Sequence, residues 1–212
     1  MELHSPLPRR QAVLWALTLG LGLLAALAWG RTQLRTGAAL CADTLRLHIR
    51  ADNDTPAAQT LKLRVRDRVL ELFDGCPART PDAARQWAAQ SLPRIQLEAQ
   101  AVLAGAGAAG PVRVQLVNMY FDTTRYAAGA LPAGRYDAVR VELGEGPAGR
   151  NWWCVLYPGL CRSACADYAL PRENELVCGE YLVRFRLVEW WQGHTQSRED
   201  VLLAGTPAAP AA

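Results

Sequence analysis

Residues 12–29, AVLWALTLGLGLLAALAW, form an uncharged apolar run behind Arg9 and Arg10, the order of a positive n-region and an apolar h-region. The run is longer than the usual h-region of a cleaved signal and sits at the short end for a bilayer-spanning helix, so a removed export signal and an uncleaved anchor both fit. Residues 30–43 are small and polar and read as a linker, which sets an N-terminal segment, 1–43, ahead of one domain at 44–195. There Leu45, Leu47 and Ile49 alternate with Arg46, His48 and Arg50, the period of a half-buried strand that turns His48 toward the surface. The polar turn ADNDTP follows, with Thr55 as N-cap and Pro56 at the first helical position. Leu61, Val65, Val69, Leu72 and Phe73 then share one helix face, with Lys62, Arg66 and Arg68 off it, until Gly75 ends the helix.

A second helix is expected from Thr80 and Pro81, with Ala84, Trp87 and Ala88 facing inward and a break or kink at Pro93. Its continuation carries Ile95, Ala99, Val102 and Leu103 and closes at GAGAAGP. From Val112 the period changes to two: Val112, Val114 and Leu116, then Val139, Val141 and Leu143, read as strands flanking the turn from Leu131 to Gly134. Tyr181, Val183, Phe185 and Leu187 suggest a last strand to Trp190, and residues 196–212 read as a disordered tail. The sum is an α+β domain with helices on one side of a mostly antiparallel sheet.

Composition narrows the function. A formal charge of +3, from 23 basic and 20 acidic residues, offers no concentrated basic face for nucleic acid. The three histidines, His4, His48 and His194, lie in no G-x-S-x-G, H-E-x-x-H or phosphate-loop pattern, so no catalytic residue is assigned. Asp52, Asn53 and Asp54 lack the loop glycine and distal Glu of an EF-hand, and turn and cap chemistry accounts for them. No metal or cofactor is expected.

Four of the six cysteines, Cys154, Cys161, Cys165 and Cys178, crowd one interval; the others are Cys41 and Cys76. Their spacing matches no standard zinc ligand array, and an exported domain sits where thiols oxidise, so disulfides are favoured. Cys154 and Cys161 are the leading pair because a Pro-Gly turn lies between them, and Cys165 with Cys178 would follow. In GRNWWCVLYPGLC, Trp152 and Trp153 cannot both face the core if the segment is extended, so one is exposed in a loop that either clamps the sheet or meets a partner. Trp190 and Trp191 pose the same question.

Three stretches, RLHIRADNDTPAAQTLKLRVRDRVL, LPAGRYDAVRVELGEGPAGRNWWCVLYPGLC and VRFRLVEWW, resemble stage II sporulation protein R over residues 44–191. The family's first motif is kept at Ala51, Asp54, Pro56, Gln59, Lys62, Val65, Arg66 and Asp67, and departs at Asp52, Asn53 and Ala58, where the family has Asn, Ser and an acidic residue. Its second is kept from Asn151 through Cys161, whereas residues 162–178 are less family-like. The resemblance implies a non-enzymatic signal, exported from the forespore, that activates a membrane-bound aspartic-type protease, which in turn matures the mother-cell pro-sigma factor. It implies no small-molecule substrate. Asp52, Asn53, Asp54, Asn151, Trp152 and Trp153 are the candidate contacts for that partner, and residues 12–29 contact the membrane if they are uncleaved. A secreted cell-wall hydrolase or wall-binding domain is the alternative, and the hydrolase would need two carboxylates facing each other across a cleft.

Overall fold

The computed structural model describes residues 8–126, 129–145, 149–158, 186–195 and 200–204. Strand β1 (Leu45–Arg50) lies inside the sheet, parallel to β5 (Gly134–Leu143) and antiparallel to β6 (Asn151–Tyr157). Antiparallel to β5 runs β2 (Val112–Phe121), and β7 (Asp200–Ala204) closes the far edge, giving the order β6-β1-β5-β2-β7. Strands β3 (Thr124–Tyr126) and β4 (Gly129–Leu131) form a small hairpin between β2 and β5. One parallel pair among antiparallel ones fits the α+β reading.

Two helices cover one face of the sheet, α2 (Pro56–Asp74) and α3 (Pro81–Gly105). Each begins as the sequence predicts: Thr55 and Thr80 accept from the amides of Ala58 and Ala83, with proline at the first helical position. Val65, Val69, Leu72 and Phe73 of α2 meet Leu45, Leu47, Ile49, Val139 and Val141 of the sheet in one core. Leu61 lies at its margin. Pro93 does not break α3. Its ring is exposed, so the carbonyl it strips of a partner can face water, and Ala88, Leu92, Ile95 and Ala99 continue a single buried stripe across it.

Four further expectations are corrected. Residues 30–42 are not a linker, because α1 runs unbroken from Arg9 to Ala42 and its Leu40 is fully buried against the second face of the sheet with Val117, Phe121, Leu131, Tyr136 and Ala138. Arg85 of α3 donates to the Ala42 carbonyl and pairs with Asp137 at 2.6 Å, setting a positive charge where the α1 dipole ends negative. Residues 186–190 are not strand but the start of helix α4 (Arg186–Thr195); residues 181–185 lie outside the described residues. The expected disordered tail contains β7, paired with β2 from Gln115 to Asn118. His48, expected at the surface, is 3% exposed.

Candidate functional site

The polar turn after β1 is a closed network. Asn53 Oδ1 accepts from the Thr55 amide (3.0 Å) and hydroxyl (2.6 Å), and Asn53 Nδ2 donates to Asp52 (2.9 Å). Asp54 Oδ1 reaches out of the turn to accept from the Arg150 amide at 2.7 Å and from Gln59 Nε2 at 3.2 Å. The Gly149 amide donates to the Ala51 carbonyl at 3.1 Å. The loop entering β6 is thus stitched to the exit of β1, and two stretches far apart in sequence meet at one end of the sheet.

Lys62 completes the stitch. It is 5% exposed, and its ammonium donates to Gln59 Oε1 (2.6 Å) and to the Arg150 carbonyl (2.9 Å). Burial lowers its pKa, and Asp54 opposes that shift. The helical wheel had placed this side chain off the core face. It is inside because the β6 entry loop roofs it. The residue is the only lysine among 23 basic residues, a compositional outlier that could have drawn attention to it.

The expected Gly149–Cys161 loop is a strand over residues 151–157, on the edge of the sheet beside β1. Its alternation separates the two tryptophans as extended geometry requires. Trp152 lies half-buried on the helix-covered face, with the Arg66 guanidinium 5.1 Å from its ring centroid. Trp153 points to the opposite face and is 36% exposed, 6.2 Å from His48 and 6.0 Å from Phe121 between ring centroids. Asp52, Asn53, Asp54 and Asn151 are exposed at the same end. An open cavity of about 540 Å³ adjoins the turn, walled by Asp52, Thr55, Leu61, Arg64, Leu103 and Leu143 among others.

On the second face, Arg46 is wholly buried, its guanidinium 3.9 Å from the Phe121 centroid and donating to Thr124 Oγ1 at 3.1 Å. His48 Nε2 lies 3.0 Å from Asn151 Oδ1. Burial, reinforced by Arg140, Arg50 and Arg46, outweighs that bond and pushes the imidazole pKa down to about 4. Unfolded His48 would bind a proton near pH 6.5. The stability contributed by neutral His48 is therefore complete above pH 6.5 and is lost as pH falls toward 4, by about 3 kcal/mol. Urea unfolding at successive pH values should show a shallower decline over that interval in His48→Gln than in the parent chain. Equal declines would assign the pH dependence to other groups.

Cys41 and Cys76 are free thiols, and burial raises Cys41 to about 11. Cys154 is buried on β6 and is not a free thiol; Cys161, Cys165 and Cys178 lie outside the described residues. Among the described residues no group of three His, Cys, Asp or Glu side chains could hold a metal ion.

Fold and site define an α+β domain, joined to an apolar helix of membrane-spanning length, that gathers polar and aromatic side chains at one sheet end. The family description "Stage II sporulation protein R (spore_II_R)" matches residues 41–167, and the chain belongs to that family. It is 36% identical over 133 residues to the stage II sporulation protein R of Bacillus subtilis (strain 168), covering 62% of this chain and 59% of that one. The chain thus spans about three fifths of the curated relative it matches. No solved structure matches.

Proposed function

We propose that the chain is an exported forespore-to-mother-cell signal that activates a membrane-bound aspartic-type protease, which then processes the mother-cell pro-sigma factor. Membership of a sporulation family supports the setting, and the apolar α1, long enough to cross a membrane, supports export or anchoring. The observation that carries the reading is the stitched end of the sheet, where Asp54 and Lys62 lock the β6 entry loop to the turn after β1 and present Asn151 and Trp153 outward. A preordered aromatic loses little entropy on docking. We further propose that Cys154 pairs with Cys161, fixing the strand that carries Trp153.

Trp153→Ala is the decisive variant. In cells coexpressing the protease and its pro-sigma substrate, it should abolish cleavage while the domain still unfolds cooperatively, at a temperature lowered only by the lost ring contacts with His48 and Phe121. Normal cleavage by a folded Trp153→Ala chain would move the contact surface elsewhere. Asp54→Asn should reduce cleavage less, because it loosens the strand without removing the anchor.

A further inference from the structure

We propose that the face of α4 bearing Leu187, Trp190 and Trp191 lies in the headgroup layer of the membrane that α1 crosses. The inference rests on the anchored one of the two readings of α1 given above, an uncleaved helix that stays in the bilayer. Leu187, Trp190, Trp191 and His194 fall at i, i+3, i+4 and i+7, one stripe of the helix. That stripe is uncovered, with Leu187 83%, Trp190 60% and Trp191 63% exposed. Adjacent solvent-facing tryptophans are a burden in water, whereas the indole, apolar in its body and polar at its N–H, is enriched where a bilayer meets water.

Contacts place this helix at the membrane side of the domain. At the end of α1, the Cys41 thiol stands against Gly134 at the start of β5, so closely that a Cβ on Gly134 would clash with it. Gly134 pairs with Phe121, and the next pair along the sheet is Arg135 with Tyr120. Over the Tyr120 ring lies Gly193 of α4, whose Cβ position is 3.6 Å from Cε1. Arg135 also pairs with Asp200 at the start of β7, at 2.9 Å. The ends of α1 and α4 therefore flank the same two rungs of the sheet, while the turn at Asp52–Asp54 lies at the opposite end of β1.

The domain also descends along α1. Gln33, Thr36 and Gly37 are half-buried and Leu40 is buried, a continuous i, i+3, i+4, i+7 stripe covered by protein down to within about a turn of the apolar run ending at Trp29. Little space separates such a domain from the bilayer. Arg31 and Arg35, exposed at that level, mark where the apolar run gives way to polar helix.

The test uses the full chain in vesicles of phosphatidylcholine and phosphatidylglycerol, with lipids brominated either near the headgroup or deep in the acyl chain. Emission missing from Trp190→Phe/Trp191→Phe relative to the parent reports the α4 pair, and emission missing from Trp15→Phe reports α1. The α4 emission should fall about twofold or more with shallow bromine and be shielded from aqueous iodide, as expected of an interfacial indole. Trp15, three residues inside the apolar run, should be quenched by brominated lipid and shielded from iodide. If Trp15 is quenched and the α4 pair is not, the docking proposal fails while the anchor stands, whether iodide reaches the pair (a free face) or does not (a face covered by a second copy). If Trp15 escapes bromine at both depths and is reached by iodide, the anchor reading itself fails. Trp191→Phe alone gives the same readout should the double variant unfold.

Discussion

Leu47→Ala should lower the free energy of unfolding by about 3 to 5 kcal/mol, the range for truncating a well-packed core leucine. Leu47 is fully buried on the interior strand β1, flanked in the sheet by Val139 and Cys154 and facing the α2–α3 layer. The surrounding elements are tied by backbone pairing on both sides and cannot collapse into the cavity. Leu61→Ala, at the margin of the same core, should cost about 1 kcal/mol, since less apolar surface leaves water there to begin with. Urea unfolding followed by circular dichroism measures both. Equal losses would show that Leu47 and Leu61 do not stand at the centre and the margin of one cluster.

Gly144→Ala should cost about 2 to 4 kcal/mol, combining a left-handed backbone strain with overpacking. Gly144, at φ +89°, closes the end of β5, and a Cβ there would run into the Asp52 carboxylate. Something must shift, and the turn is the softer partner. The control is Gly107→Ala: φ is +67° but no atom lies near, so only the backbone strain, about 1 to 2 kcal/mol, remains. Thermal unfolding of the two variants separates the terms. In the coexpression assay Gly144→Ala should also reduce pro-sigma cleavage, because displacing Asp52 disturbs the network that holds Asp54 against Arg150.

Local rules that act within a few residues were legible in the sequence. Thr55 and Thr80 as caps, the buried spacing of α2 and α3, the period-two strands and the α+β class all follow from hydrogen-bond and periodicity arguments that need no distant partner. The failures share the opposite property. Alternation in LRLHIR gives a period but not whether the second face is solvated, and Phe121 and Tyr136, which cover Arg46, arrive some 75 to 90 residues later. The run YLVRFRLVEWW fits both a strand through Leu187 and a helical stripe through Trp190 and Trp191, and short apolar runs leave that choice to tertiary contacts. At the candidate site, extended geometry correctly sent Trp152 and Trp153 to opposite faces. It did not reveal the edge strand that holds them or the buried Lys62, both consequences of β6 meeting β1.

The position of β1 also sets an order of events. Of its two neighbours, β5 begins at Gly134 and β6 ends at Tyr157, so the first strand made has no hydrogen-bonding partner until most of the domain exists. Pairings of such long sequence separation form late, because the loop between them must be closed before the contacts can compensate. The N-terminal half can emerge with helices but without a sheet, and the last strands then insert β1 and complete the core in one step. Until β5 and β6 arrive, nothing holds the turn at Asp52–Asp54 or the edge that carries Trp153, so the end of the sheet where they meet is the last part of the domain to take shape.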